Sequence, residues 1–228
     1  MTAAELFDRL RGRLVVSCQA YPDDPLHGPH FMSAMARAAV LGGAAGVRIN
    51  GLADVEAVRA AVAVPLIGLW KDGGGEVYIT PTAEHAVAVA HAGADVVALD
   101  ATGRPRPDGL GLAETFERVH RTGALVMADV ATLEEGLAAV DHGADCVSTT
   151  LSGYTPDSSP QDDPDLDLVA ALAGKCRVPV FAEGRIATPA QAARALESGA
   201  HAVVVGGAIT RPADITRRFA SALKERRP

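Results

Sequence analysis

The sequence predicts an α/β fold: a single (β/α)₈ TIM barrel spanning residues 1–228, with phosphate-binding loops after strands 7 and 8. Three observations predict it. A segment type repeats four times, eight apolar runs alternate with eight helical stretches, and the runs are too continuously apolar to be anything but buried parallel strands.

The repeat is "LGGAAGVRI" (41–49), "HAGADVVAL" (91–99), "DHGADCVST" (141–149) and "ESGAHAVVV" (197–205). Its shared glycines, Gly43, Gly93, Gly143 and Gly199, are spaced 50, 50 and 56 residues apart. Each copy reads as a helix end, a glycine turn and a short strand. Strand 1 is "RLVVSC" (13–18), and strand 2 ends the first repeat segment. Strand 3 is "VPLIGLW" (64–70), strand 5 "ALVMAD" (124–129) and strand 7 "VPVFAE" (178–183). Strands 4, 6 and 8 end the other repeat segments. The helices between them have start and stop signals. "TAEHAVAVAHAG", "TLEEGLAAVDHG" and "TPAQAARALESG" each open on a capping threonine, continue with Ala/Leu periodicity and close on glycine. The last helix, "PADITRRFASALKER", reads as ordinary barrel cover, with an oligomer contact as the alternative. A doubly wound open sheet competes, but a 50-residue unit of two βα pairs favours closure. No linker or second domain interrupts the pattern. The longest irregular segment, "YTPDSSPQDDPDLD" (154–167), follows strand 6 and is a candidate lid.

Composition narrows the function. Hydrophobic residues make up 48% and aromatic residues 4%, so the core is built from Ala, Val, Leu and Ile. A net charge of −7 argues against general nucleic-acid binding, which needs a basic face. Three widely spaced cysteines, Cys18, Cys146 and Cys176, form neither a disulfide framework nor a zinc motif. Without an apolar leader or a membrane-length run, the expectation is a soluble protein of a reducing cytoplasm, with no membrane partner. No histidine or carboxylate cluster suggests a metal.

In this fold the active site lies at the C-terminal ends of the strands. That rule selects Gln19 after strand 1, and Arg48 and Asn50 at strand 2. It selects Lys71 after strand 3, Asp100 after strand 4 and Asp129 closing strand 5. Thr149 and Thr150 follow strand 6, and Glu183 closes strand 7. Strands 3 and 7 stand opposite in a ring of eight, so Lys71 and Glu183 are expected to face each other across a substrate. An unperturbed lysine, with a pKa of about 10.4, is neutral in about one molecule in a few thousand at pH 7. Burial at an apolar strand end would correct that; Asp129 or Glu183 nearby would oppose it. "EGRI" and "GGAITRP" supply Gly184, Arg185, Gly206, Gly207 and Arg211 in the two loops that hold phosphate in many barrels. Cys18 reads as a buried small residue. His27 and His30 are candidates for the mouth, the other histidines for the surface. Trp70 fits either the pocket wall or the outer packing.

Several stretches carry a resemblance: "LVVSCQAYPDDPLHGPH", "EVYITPT", "ADVVALDATGRPRPDG", "LVMADVATLEEG", "GADCVSTTLSGYTPDS" and "PVFAEGRIATPAQAARALESGAHAVVVGGAITRP". With them the chain resembles, over nearly its whole length, the bacterial NanE-type N-acetylmannosamine-6-phosphate 2-epimerase family. The resemblance implies interconversion of N-acetylmannosamine 6-phosphate and N-acetylglucosamine 6-phosphate by proton transfer at C2, in sialic-acid and aminosugar breakdown. It assigns the catalytic lysine to Lys71 and the two carboxylates to Glu183 and Asp129. It places Gln19, Arg48 and Arg211 on the substrate; Thr150, from the strand-end rule, is the fourth substrate-binding candidate. It implies no metal or organic cofactor, a sugar-phosphate substrate, and a homo-oligomer as in many members. The sequence departs from the family where K-R-D-(Y) is usual: here "KDGGGEVYITPT" keeps the lysine and loses the basic residue after it. Two other readings stand beside this one. They are another phosphate-binding barrel isomerase or synthase, and a non-catalytic sugar-phosphate sensor, which would have no need of a base.

Overall fold

The computed structural model describes residues 2–224. Eight parallel strands close into a barrel in sequence order: β1 (Leu14–Cys18), β2 (Gly46–Asn50), β3 (Leu66–Leu69), β4 (Val96–Asp100), β5 (Leu125–Asp129), β6 (Cys146–Ser148), β7 (Val180–Glu183) and β8 (Ala202–Val205). β8 pairs with β1 through Val15 and Val204, which completes the ring. The helices are α1 (Ala3–Leu10), α2 (Pro29–Leu41), α3 (Leu52–Ala61), α4 (Ala83–His91), α5 (Leu112–His120), α6 (Leu133–Asp141), α7 (Leu166–Lys175), α8 (Pro189–Glu197), α9 (Gly207–Thr210) and α10 (Pro212–Lys224).

The threonine signals hold. Thr82, Thr132 and Thr188 each accept the backbone N–H three residues on, and at α6 and α8 Glu135 and Gln191 complete the capping box. The repeat glycines hold too. Gly43, Gly93, Gly143 and Gly199 have φ of 99°, 107°, 103° and 98°. Side-chain-bearing residues avoid that region, which explains why the same residue returns at each helix-to-strand turn.

Strand alternation sorts the side chains. Val47, Ile49, Val126 and Ala128 face outward into the layer between strands and helices. Val15, Ile67, Ala98, Met127, Phe181 and Val204 fill the barrel. α1 plugs its lower end with Leu6, Phe7 and Leu10, and the Phe7 ring meets Phe181 edge-on at 6.3 Å. His201, expected at the surface, is half-buried there and bonds the Phe7 carbonyl at 2.8 Å. With the lower barrel filled by hydrocarbon, the inward polar residues Arg48, Asp129, Ser148 and Glu183 collect one layer higher.

The last unit departs from expectation. α10 buries none of its side chains, so it is not the barrel cover that its sequence suggested. Glu225 and Arg226, which close that sequence stretch, lie outside the described residues. Among the described residues no helix is long and apolar enough to cross a membrane, and no group of three or more His, Cys, Asp or Glu side chains is placed to hold a metal ion.

Candidate active site

The upper end of the barrel opens into two adjoining cavities of about 200 and about 500 Å³. Lys71, Glu183, Tyr21, Gly206 and Gly207 line both. Gln19 and Arg211 complete the smaller one, and Thr150, Gly184 and Arg185 the larger. Most residues chosen by the strand-end rule therefore converge on the mouth; Arg48 and Asp129 lie beneath it as its floor, and Asp100 and Thr149 line neither cavity.

Arg48 is 1% exposed and Asp129 0%. Arg48 Nη1 donates to Asp129 Oδ1 at 3.0 Å and to Glu183 Oε2 at 2.8 Å, and its Nη2 donates to Asp129 Oδ2 at 2.5 Å. Thr150 Oγ1 closes the network, donating to Asp129 Oδ1 at 2.7 Å, with Glu183 Oε2 at 3.2 Å. The Glu183 backbone is clamped as well: its N–H donates to Thr149 Oγ1 and its carbonyl accepts from that hydroxyl. Burial raises the Glu183 carboxyl above the usual carboxylate range; Arg48 opposes the shift and the negative charge of Asp129 reinforces it.

Lys71 stands on the opposite wall. Its Nζ donates to Gln19 Oε1 at 2.8 Å, and Gln19 is held in turn by Ser17 at 2.8 Å. The residue is exposed, yet the packed mouth lowers its pKa below the ordinary lysine value. Desolvation is the main cause and the Arg48 cation the second; Glu183 and Asp129 pull the other way and do not prevail.

The loop after Lys71 is short of basic residues but not slack. Lys71 forms an antiparallel bridge with Ile79, and its N–H donates to Asn50 Oδ1 at 2.8 Å. Asp72 pairs with His85 Nε2 at 3.0 Å, which draws the carboxyl below its ordinary value. The Trp70 ring packs on His85 at 4.2 Å, so Trp70 belongs to the outer packing.

The loops after β7 and β8 place their residues unequally. Gly184 (φ 110°), Gly206 and Gly207 present backbone to the cavity. Arg211 lays its guanidinium 4.5 Å from the Tyr21 ring centroid and pairs with Asp214 at 2.9 Å. Arg185 differs from expectation. Its Nη1 donates to the Ser152 carbonyl at 2.6 Å and its Nε to the Asp163 carbonyl at 2.9 Å, while the guanidinium stacks on Tyr154. Its side chain thus straps down the 149–165 loop, and the residue, at φ 57°, lies on the wall of the larger cavity. The candidate lid is pinned further by Ser152–Asp165 at 2.6 Å and Gln191–Asp163 at 2.9 Å.

Other candidates lie elsewhere. Asp100 is buried and paired with Arg104 at 2.6 Å, away from the cavities. Cys18 faces the outer layer, where burial pushes its thiol up to about 12. His27 and His30 are exposed and line neither cavity. Tyr21, Tyr78 and Tyr154, which ring the mouth, were not anticipated. Each lies in a loop after a strand, and an aromatic there was the available signal.

A closed (β/α)₈ barrel with a lysine of lowered pKa, a glutamate of raised pKa and glycine loops around one mouth defines an acid–base barrel enzyme. Relatives narrow the class. The sequence profile of the family described as "Putative N-acetylmannosamine-6-phosphate epimerase" (NanE) matches residues 32–225, and the chain belongs to that family. A protein of Cutibacterium acnes with the description "Putative N-acetylmannosamine-6-phosphate 2-epimerase" is 54% identical over 218 residues, 94% of this chain and 95% of its own. One of Caldanaerobacter subterraneus subsp. tengcongensis with the same description is 50% identical over 227 residues, 98% of this chain and 96% of its own. The solved N-acetylmannosamine-6-phosphate 2-epimerase of Clostridium perfringens superposes with a TM-score of 0.92 at 44% identity, over 95% of each chain. Thiamine phosphate pyrophosphorylase of Pyrococcus furiosus, with a TM-score of 0.64 at 19% identity, shares the barrel fold.

Proposed function

We propose that this protein is an N-acetylmannosamine-6-phosphate 2-epimerase, an isomerase that exchanges the configuration at C2 to give N-acetylglucosamine 6-phosphate. The observation that carries the reading is the pairing of Lys71 and Glu183 on opposite walls of one mouth, with pKa values shifted toward each other.

The C2 proton is acidic only when C1 is an open-chain aldehyde, because the electron pair left behind then delocalises as an enolate. Neutral Lys71 takes that proton as general base. Protonated Glu183 returns one to the opposite face of C2, which inverts the centre. Gln19 holds the Lys71 amine in place. Asp129 does not reach the cavity; it sets Arg48, and through Arg48 the charge and orientation of Glu183. The backbone at Gly184, Arg185, Gly206 and Gly207, with the Arg211 guanidinium beside it, suits the 6-phosphate. Thr150, on the cavity wall, suits a sugar hydroxyl. The elements from α1 to α9 form one barrel, in keeping with one catalytic domain.

Proton NMR of the protein with N-acetylmannosamine 6-phosphate in D₂O tests the reading. Formation of N-acetylglucosamine 6-phosphate with deuterium at C2 is expected. Folded protein that neither epimerises the sugar nor exchanges its C2 proton would overturn it.

A further inference from the structure

Lys71 heads a run of six exposed residues, Lys71 to Glu76, with three glycines inside it. A Cβ added at Gly73 or Gly74 would meet nothing within 4 Å, so the tip of this arm packs on nothing. Glycine backbone is also the freest in the chain. A base at the root of such an arm needs restraint, because a misplacement of about 1 Å can cost about 10²-fold in rate. The Lys71–Ile79 bridge and the bond from the Asp72 N–H to the Tyr78 carbonyl, at 3.0 Å, pair the two sides of the arm with each other. Asn50 holds the Lys71 N–H from the barrel side. Among the described residues, the arm has one side-chain tie to a helix: Asp72 to His85.

His85 lies in the first turn of α4 and touches both chain neighbours of Lys71. Its Nε2 is 3.0 Å from Asp72 Oδ2, and its ring centroid lies 4.2 Å from that of Trp70, with the planes at 49°. A third contact fixes the ring itself. Nδ1 is 2.6 Å from Thr82 Oγ1, the oxygen that caps α4 by accepting the His85 N–H at 3.2 Å. In the neutral imidazole one tautomer serves both sides: the Thr82 hydroxyl donates to Nδ1, and the Nε2–H donates to Asp72.

An exposed pair between two mobile side chains is worth little, because both must be ordered to make it. Here the imidazole is ordered beforehand by the cap and the indole, and its side chain is only 18% exposed. Asp72, at 57%, is the mobile partner. The bond therefore fixes the position of the arm more than it adds to stability.

We propose that His85 is a positioning residue for Lys71: by holding Trp70 on one side and Asp72 on the other, it sets where the glycine arm leaves the barrel and where the Lys71 amine stands in the mouth. The consequence for turnover rests on the reading of Lys71 as the C2 base. The placement of the amine does not.

Two substitutions and a matched control test the role in the full chain. His85→Phe keeps a ring against Trp70 and removes the donor to Asp72. His85→Gln puts a donor back at similar reach. His120→Phe removes a pair of the same kind, Nε2 to Asp145 Oδ2 at 2.8 Å, which lines neither active-site cavity. The chain has three lysines, Lys71, Lys175 and Lys224, so ¹⁵N-lysine NMR follows the Lys71 amine directly. His85→Phe is expected to lower kcat about tenfold with KM and the unfolding midpoint little changed. Its Lys71 titration should move to higher pH. Desolvation is the main cause of the lowered pKa, and a loosened arm admits water, while Arg48, Glu183, Asp129 and Arg211, whose charges also act on the amine, are untouched. His85→Gln should recover most of both effects, and His120→Phe should show neither. A Lys71 titration unmoved by His85→Phe, an equal shift in His120→Phe, or no recovery in His85→Gln would each overturn the proposal. If the wild type does not epimerise the sugar in D₂O, the reading of Lys71 as base falls, and the Lys71 titration alone still decides whether His85 places the amine.

Discussion

Arg48 grips Asp129 by two parallel hydrogen bonds, at 3.0 and 2.5 Å, and uses the first of those nitrogens to hold Glu183 at 2.8 Å. A cation nearly sealed from water is thus shared between one carboxylate beneath the active site and one inside it. Breaking such a pair from one side leaves a buried charge short of its partner, which typically costs about 3–5 kcal/mol. Asp129→Ala should destabilise the fold toward the lower part of that range, because Glu183 remains to Arg48; urea unfolding measures it. The same change removes a negative neighbour from Glu183 and leaves it a larger share of the Arg48 charge. Its pKa should fall. An Asp129→Ala protein as stable as the wild type would remove Asp129 from the supporting role.

Lys71, the proposed base, carries the opposite balance: it is an exposed residue. Lys71→Ala should leave the unfolding midpoint within about 0.5 kcal/mol of wild type. Turnover should fall by about 10²–10⁴, the usual contribution of a positioned base. Lys71→Arg should fare no better, because a guanidinium does not deprotonate at any working pH. NMR assay of the two variants decides the point; an arginine variant with near-normal turnover would rule out the amine as base.

The two pKa shifts make a further statement. In the proposed mechanism the productive enzyme has Lys71 neutral and Glu183 protonated, the reverse of their ordinary order. Between the two pKa values one fraction rises tenfold per pH unit as the other falls tenfold, so the rate is flat. Below that range Lys71 limits it, and above that range Glu183 does. Lowering Lys71 and raising Glu183 narrows the gap, and each unit of narrowing enriches the productive form about tenfold. Stability follows the same signs. Lys71, with its folded pKa lowered, contributes stability above the unfolded value that is lost as pH falls through the folded one. Glu183, with its folded pKa raised, contributes stability below the unfolded value that is lost as pH rises through the folded one. Glu183→Gln removes one of the two titrations. The flat region of kcat/KM should become a line rising with slope one up to the Lys71 pKa, at a much reduced rate. A bell retained in Glu183→Gln would place the acid elsewhere.

Much of this was legible in the chain. The capping threonines and the returning glycine located the βα units, because a cap and a positive φ are local demands that a single residue meets. The strand-end rule then named Lys71, Glu183, Gln19, Thr150 and the glycine loops. Depth was not legible. Arg48 and Asp129 stand on strands β2 and β5, which are not neighbours in the ring, and only its closure decides that they pair with each other beneath the cavity. Nor were the side-chain partners of Arg185 legible: the Ser152 and Asp163 carbonyls belong to a loop whose path no periodicity encodes. The barrel-cover reading of α10 did not hold, because an amphipathic stripe does not specify which surface a helix packs on.

The tightest local arrangement near Lys71 involves residues that no motif announced. Thr80 is fully buried and has φ 49°, unusual for a β-branched residue. It is held there from several sides. Its N–H donates to the Trp70 carbonyl at 2.8 Å, its hydroxyl donates to the Ala98 carbonyl at 2.7 Å, and that hydroxyl accepts the Trp70 N–H at 3.1 Å. Buried Arg106 then donates to the Thr80 carbonyl at 2.9 Å and to the Asp100 carbonyl at 2.8 Å. Trp70 is the residue before Lys71, so this clamp fixes where the Lys71 backbone leaves β3. Arg106→Met fills the space but leaves both carbonyls unpaired, at about 1–3 kcal/mol for each buried group. With its clamp released, Thr80 can relax toward negative φ and let the 71–79 loop shift. Because a small misplacement of a catalytic group is costly, turnover should drop about tenfold or more with KM little changed, at temperatures where circular dichroism shows the variant folded. Equal losses in KM and kcat, or none in either, would show that Arg106 supports the fold without positioning Lys71.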